Sequence, residues 1–174
     1  MALIILDAGH GGANPGAVYN GRQEKDDVLA LVLAVGSILE ANDVDVYYTR
    51  TTDVYETPFQ KAQESNLTEA DYFVSIHRNS SPMPNQYNGV ESLVYNRYGR
   101  AATLAENINE QLEQVGFRNI GVFERKNLVV LNSTEMPAVL VEVGFINTDL
   151  DNLIFDEQFD EIASAIAAGI LETL

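Results

Sequence analysis

The 174-residue sequence has no cysteine, few basic residues and no long apolar run. The lack of cysteine excludes disulfides and thiolate metal sites, and it leaves the redox compartment open. Ten lysines and arginines against 26 acidic residues give a net charge of −16, which argues against phosphate-mediated binding of nucleic acid. No apolar segment reaches the roughly 18 residues of a membrane span. We therefore expect a solvated acidic surface and no nucleic acid partner.

The amino terminus shows no basic region and no apolar segment of signal-peptide length before the first predicted strand. Three explanations stay open: the protein works where it is made, leaves by another route, or is a catalytic piece of a longer protein. We expect one domain over residues 1–174, because about 150 residues already bury roughly two-thirds of their unfolded surface.

The sequence contains only two histidines, and each follows a predicted strand. The apolar run 3–6 leads to His10, and the apolar and aromatic run 72–76 leads to His77. Ligands of open α/β sheets bind at the carboxyl ends of the strands, where a rigid scaffold holds the loops. The matching positions favour one shared site, and a metal is the first candidate because imidazole is the commonest metal ligand.

Carboxylates begin the first predicted helix, which starts near residue 23 or 24. Extending its apolar stripe backwards by one turn leads to Glu24, on the side that faces the sheet. Attraction to the helix dipole is the simpler explanation for first-turn carboxylates, and it suits Asp26 better than Glu24. Asp27 remains an alternative candidate. The stripe consists of Val28, Leu31 and Val35.

A third polar strand end is Glu142, which follows the apolar run 138–141 and precedes residues 143–145. Apolar neighbours should desolvate this carboxylate and raise its pKa towards the range useful for proton transfer. Two histidines and one glutamate form a known catalytic zinc set with a fourth position left for water.

Strands alternate with helices along most of the chain, which predicts an α/β sheet covered on both faces. Further strands are predicted at residues 44–48, 89–95 and 128–131. Helices are predicted from Thr57 and Pro58 to about Leu67, from 101 to 115 and from 159 to 170. The polar, proline-broken segment 78–88 predicts a functional loop that borders a substrate.

Four separated motifs resemble the zinc-dependent N-acetylmuramoyl-L-alanine amidases of the type 3 autolysin class. They occur in the order of that family and extend over nearly the whole chain. The motifs are DAGHGG at residues 7–12, Glu24, SIHRN at residues 75–79 and PAVLVEVGF at residues 137–145.

The resemblance implies a single-domain, mostly parallel (mixed) six-stranded sheet with helices on both faces. It also implies one zinc ion held by His10, Glu24 and His77, with Glu142 as the catalytic glutamate. The substrate would be peptidoglycan, cut between N-acetylmuramic acid and the L-alanine of the stem peptide. We accordingly expect a monomer that acts at the bacterial cell wall and reaches it by an unknown export route. A wall-binding module is expected to be fused to this domain or to have been cut from it.

Three positions depart from the usual family pattern. Arg78 stands where a small residue is common, Lys61 where an arginine is common, and residues 147–148 replace a frequent serine-asparagine pair. Arg78 and Asn79 are predicted substrate-binding residues, since a guanidinium suits bidentate recognition of a stem-peptide carboxylate. The alternative for Arg78 is a solvated loop arginine.

Rival functions also remain open. The same metal set could serve a cell-wall deacetylase or carboxypeptidase, and the fold could persist as a non-catalytic wall-binding module. Ser75 and Ser80 invite comparison with a serine nucleophile, but the Gly-x-Ser-x-Gly elbow is missing.

Overall fold

The computed structural model describes residues 1–174 and has a six-stranded central sheet in the order β4-β1-β5-β8-β6-β7. Its strands are β1 (Leu3–Ala8), β4 (Asp45–Tyr48), β5 (Tyr72–Asn79), β6 (Val90–Val94), β7 (Asn119–Glu124) and β8 (Ala138–Phe145). The short strands β2 (Val18–Tyr19) and β3 (Arg22–Gln23) form a separate antiparallel pair. All neighbours in the large sheet are parallel except β6 and β8. The predicted mostly parallel, mixed α/β sheet is confirmed.

Six helices accompany the sheet: α1 (Glu24–Glu40), α2 (Pro58–Asn66), α3 (Arg100–Val115), α4 (Val129–Asn132), α5 (Asp149–Glu157) and α6 (Phe159–Thr173). None of them combines the length and apolar character that crossing a bilayer requires. The main core of 30 buried residues joins one face of the sheet to α1, α3 and α6. A smaller core of seven buried residues includes Val130 and Leu131 of α4 and lies on the other face.

Side chains of β5 alternate between these two cores, as the pleat of a strand requires. Val74 and Ile76 enter the main core, whereas Phe73 enters the smaller one. His77 continues the Phe73 side of the strand and Arg78 continues the Ile76 side. The same alternation in β8 puts Glu142 on the His77 side of the sheet.

The predicted strand at residues 128–131 is wrong, because these residues form the helical turn that becomes α4. A short apolar run fits a buried strand or a buried helical turn equally well. The short strands β2 and β3, the edge strand β7 and helix α5 were also not predicted from the sequence. The edge strand β7 contains Gly121 at φ 132° and has mostly half-buried side chains, so it lacks a strand-like apolar pattern.

Close contact between α3 and α6 depends on Gly169. A Cβ atom at this position would lie 2.6 Å from the Ile108 Cα, a backbone atom that cannot easily move. We expect Gly169→Ala to lower the free energy of unfolding by about 1–3 kcal/mol, despite the better helix propensity of alanine. Urea unfolding measures this change.

Gly36→Ala in α1 is the matched control. Its Cβ would meet the Tyr48 hydroxyl oxygen at 2.0 Å, but this is the end of a side chain that can rotate away. An equal loss of stability in the two variants would contradict this explanation of Gly169.

Candidate active site

Parallel pairing of β1 with β5 brings the two histidines to the same edge of the sheet. The ladder aligns Ala8 with Ile76, so His10, two residues after β1, lies near His77, which is inside β5 close to its carboxyl end. Their ring centroids are 5.0 Å apart, with the planes inclined by 81°. Glu24, the first residue of α1, completes a group whose potential ligand atoms all lie within 4.8 Å of one another.

One carboxylate oxygen connects the three side chains. Glu24 Oε1 lies 3.1 Å from His10 Nε2 and 3.0 Å from His77 Nδ1. Glu24 is only 3% exposed, and its Oε2 accepts the Ala17 N–H at 2.9 Å. Burial alone would raise the pKa of Glu24, but its hydrogen bonds with the two histidines outweigh this effect and lower the pKa below its usual range. Glu24 is therefore an anion at neutral pH.

Asn14 determines which nitrogen of His10 faces this anion. Its Oδ1 accepts the Gly16 N–H at 3.1 Å and lies 3.0 Å from His10 Nδ1. His10 Nδ1 therefore donates to Asn14, which leaves Nε2 facing Glu24; without a proton, Nε2 would present a lone pair to this oxygen. A lone pair facing a carboxylate oxygen requires a cation between them. A proton or a metal ion meets this requirement, and two imidazoles with one carboxylate suit zinc.

Two glycines leave the space that these side chains occupy. A Cβ on Gly9 would lie 2.3 Å from His77 Cε1. A Cβ on Gly16 would lie 2.6 Å from Glu24 Oε2 and from His10 Cδ2. Gly16 also has φ 69°, a left-handed conformation that favours glycine. The three candidate ligands thus fit only beside residues without side chains.

Buried cations hold the end of β1 just before His10. Lys61 Nζ and Arg50 Nε both donate to the Ala8 carbonyl, at 2.9 and 3.1 Å, and Arg50 Nη2 donates to the Gly9 carbonyl. Lys61 also forms a 2.7 Å ion pair with Asp7. Lys61, which departs from the family pattern, is therefore a buried structural cation.

These contacts support an unusual backbone conformation at His10. Its φ of 64° lies in the left-handed region, which costs a non-glycine residue of the order of 1–3 kcal/mol. Two fixed carbonyls immediately before it keep the backbone in this conformation, which turns the imidazole towards Glu24.

Ser75 has a structural role. It is fully buried, and its hydroxyl donates to Asp7 Oδ2 at 2.6 Å. It therefore faces the Asp7–Lys61 ion pair and is not placed as a nucleophile.

Glu142 lies next to His77 across the β5–β8 ladder, on the same side of the sheet. Its Oε2 is buried and has no hydrogen-bond partner. Burial is the main cause that raises the pKa of Glu142 to about 7; His77 opposes this effect, and the negative charges of Glu24 and Glu91 add to it. A carboxyl group with this pKa can both accept and donate protons near neutral pH.

Glu91, which was not predicted as a site residue, extends the row of polar residues beyond Glu142. It is aligned with Glu142 across the antiparallel β6–β8 ladder. Asn79 Nδ2 donates to Glu91 Oε1 at 2.9 Å. The predicted substrate-binding residue Asn79 is thus half-buried on the His77 side of the sheet. No spacing in the sequence distinguished Glu91 from other strand glutamates.

The structure contradicts the predicted role of Arg78. Because β5 extends to Asn79, Arg78 belongs to the strand and points away from His77 into the protein, where it is 2% exposed. Its guanidinium donates to Asp27 and to the Val143 carbonyl and stacks 4.3 Å above the Phe155 ring. This buried position matches neither of the two predictions for Arg78, a contact with substrate or a solvated loop arginine. Asp27, the alternative ligand, is occupied by this ion pair.

The predicted loop begins two residues later than expected, after Asn79, and is fastened to the start of α5. Ser81 N–H donates to Asn147 Oδ1 at 3.0 Å, and Asn147 Nδ2 donates to the Ser81 carbonyl at 2.8 Å. Between these contacts and β6, residues 82–87 are exposed. A role of this loop in lining a substrate groove stays a prediction.

Comparison with known proteins relates the whole chain to one family. The family model described as N-acetylmuramoyl-L-alanine amidase matches residues 4–172. The endolysin of Bacillus phage SPP1 is 37% identical, with 99% of this chain and 66% of that protein covered. The sporulation-specific N-acetylmuramoyl-L-alanine amidase of Bacillus subtilis (strain 168) is also 37% identical, with 98% and 67% covered. The chain thus spans about two-thirds of the length of these relatives.

Solved structures agree with the arrangement of the fold. N-acetylmuramoyl-L-alanine amidase AmiC2 of Nostoc punctiforme has a TM-score of 0.91 at 32% identity, covering 98% of this chain and 96% of that chain. The catalytic domain of CwlV, an N-acetylmuramoyl-L-alanine amidase from Bacillus (Paenibacillus) polymyxa, has a TM-score of 0.90 at 33% identity, covering 99% and 97%.

Gly9→Ala tests whether space beside His77 is required for metal binding. The new Cβ would overlap the imidazole, so the ring must turn away from Glu24. We expect the purified variant to lose stoichiometric metal, as measured by elemental analysis. Gly36→Ala is the control because its Cβ would meet the Tyr48 side chain and none of the three candidate ligands, and it should keep its metal. Full metal content in Gly9→Ala would contradict the proposed placement.

Proposed function

The chain belongs to the N-acetylmuramoyl-L-alanine amidase family, and on this basis we propose that it hydrolyses peptidoglycan. The bond cut is the amide between the lactyl group of N-acetylmuramic acid and the L-alanine of the stem peptide. One observation carries the proposal: His10, Glu24 and His77 converge within 4.8 Å, with Glu142 next to His77 on the same side of the sheet. This arrangement supports the assignment of a metal-ligand set with an adjacent proton acceptor.

One zinc ion would be held by His10, Glu24 and His77. The anionic Glu24, the lone pair of His10 Nε2 and the room left by Gly9 and Gly16 all support this assignment. When bound, zinc supplies Lewis-acid polarisation of a carbonyl and makes water more acidic.

Glu142 would transfer the proton that the reaction needs. Hydrolysis forms a bond from the carbonyl carbon to a water oxygen and breaks the bond to the alanine nitrogen. Glu142 accepts the proton from the attacking water and returns it to the departing amine. Its buried and unpartnered Oε2 supports this role, since no internal hydrogen bond occupies that oxygen.

Relatives active on cell walls support action at the bacterial wall, including the sporulation-specific amidase and the phage endolysin. The chain spans about two-thirds of the length of these relatives, and an accompanying wall-binding module stays a prediction. The domain itself would act as a monomer, since all the proposed site residues come from one chain.

Product analysis distinguishes this function from the deacetylase and carboxypeptidase alternatives. The proposed reaction releases an intact stem peptide with a free L-alanine amine and leaves a free lactyl carboxylate on the glycan. A deacetylase would release acetate, and a carboxypeptidase would release a terminal amino acid. Mass spectrometry of digested wall separates these products.

His77→Ala tests the metal set. Removing this imidazole leaves two candidate ligands, so we expect the loss of stoichiometric zinc together with the loss of amide cleavage. Elemental analysis and release of free amines from purified wall measure the two effects. A variant that retains one tightly bound zinc would refute the assigned ligands.

Glu142→Gln tests proton transfer separately from metal binding. Glutamine keeps the size and hydrogen bonding of the side chain but cannot accept the proton, so turnover should fall by about 10²–10⁴-fold. Zinc content should remain unchanged. The exposed Glu135→Gln removes the same charge elsewhere and serves as control.

Loss of zinc in Glu142→Gln would make this residue a metal ligand. Retained zinc with a near-normal rate would leave it a structural strand-end residue.

A further inference from the structure

A small cavity adjoins the proposed metal site on the side of α2. Its volume is about 130 Å³, and it is lined by His10 and His77 on one side and by Tyr55, Glu56 and Lys61 on the other. Lining by both histidines makes the cavity continuous with the candidate site. A substrate group adjacent to the scissile bond therefore has space to enter it.

Glu56 is the one acidic group of this cavity without a fixed partner. Its Oε2 is buried and forms no hydrogen bond, while the residue as a whole is half-buried. The other carboxylate in the lining, Asp7, is paired with Lys61 at 2.7 Å and accepts further hydrogen bonds from Thr49 and Ser75. No contact within the protein therefore explains the buried position of Glu56 Oε2.

Lys61 does not provide the missing partner. Its ammonium group already donates to Asp7 and to the Ala8 carbonyl at 2.9 Å, and it forms no ion pair with Glu56. Burial accordingly raises the pKa of Glu56, and the negative charges of Glu64 and Asp7 act in the same direction, although Lys61 opposes them. Glu56 thus places a carboxyl group without an internal partner beside the site.

A buried carboxylate oxygen without a donor is costly, and a ligand that brings an N–H group removes this cost. A second carboxylate in the same cavity would be repelled. The stem peptide has a group that differs in this respect between walls: the α-carboxyl of its second residue is a carboxylate in some and a carboxamide in others.

We propose that the cavity is a subsite for the carboxamide of the second stem-peptide residue, with Glu56 as the acceptor that selects it over the free carboxylate. This inference rests on the proposed amidase function and adds a specificity determinant to it. Glu56 would contact substrate without holding the metal or transferring the proton.

The experiment compares two soluble probes that differ only in this group. They are N-acetylmuramoyl-L-alanyl-D-isoglutamine and N-acetylmuramoyl-L-alanyl-D-glutamate. We expect zinc-loaded protein to favour the amide by at least about 10-fold in kcat/KM, the effect expected of a hydrogen bond to a charged group. In Glu56→Gln the preference for the amide probe should fall at least about fivefold, because the glutamine side-chain N–H can donate a hydrogen bond to the carboxylate probe.

Glu64→Gln is the matched control. This substitution removes a negative charge that acts on Glu56, but Glu64 does not line the cavity. The preference of this variant for the amide probe should therefore stay close to that of the parent. An unchanged preference in Glu56→Gln would overturn the proposal, as would an equal change in Glu64→Gln. The ratio between two probes is the readout because general damage to the fold affects both equally.

Binding of the same probes by calorimetry separates this proposal from the proposed function. The measurement uses the Glu142→Gln background, in which turnover is suppressed. A binding preference that disappears in Glu56→Gln without any amide hydrolysis by the parent would refute the function and retain the subsite. Cleavage by the parent with equal binding of both probes would support the proposed function and refute the subsite.

Discussion

The active-site structure depends on the contact of Glu24 Oε1 with both imidazoles. A carboxylate that is 3% exposed would ordinarily be costly, and here the cost is offset by two imidazole nitrogens and two backbone N–H groups. The Arg78 and Ala17 N–H groups hold its two oxygens in place. Because α1 begins at this residue, the helix and two strand ends are fixed relative to one another by one carboxylate.

Polar residues around this centre divide into those that hold its framework and those left available. Arg50 and Lys61 hold carbonyls at the end of β1, and Arg78 anchors α1 to the sheet through Asp27. Glu142 and Glu56, in contrast, each retain a buried oxygen without a partner. Arg78 Nη2 and Asn152 Oδ1 also lack internal partners, so the roles proposed for Glu142 and Glu56 depend on the position of these two residues beside the candidate site.

Much of this arrangement was predictable because three strands of the sheet are short apolar runs with a polar residue at the end. Parallel pairing then brings His10 and His77 together without knowledge of any loop. Glu24 was accessible through the helical period. Arg78 was not, since the apolar pattern ends at Ile76 while the strand continues to Asn79. Glu91 and Glu56 depend on neighbours distant in sequence, and residues 128–131 fit two structures equally well.

Because side chains alternate along β5, the adjacent residues His77 and Arg78 lie on opposite faces of the sheet. His77 faces the cleft, and Arg78 faces the interior, where it pairs with Asp27. A slip of one position would bury the imidazole and expose the guanidinium, so the sheet and the reactive centre would be lost together. Insertions are consequently tolerable after Asn79 but not within the strand. A change of length is therefore compatible with this arrangement in the exposed segment 82–87 but not within β5, whose register places both residues.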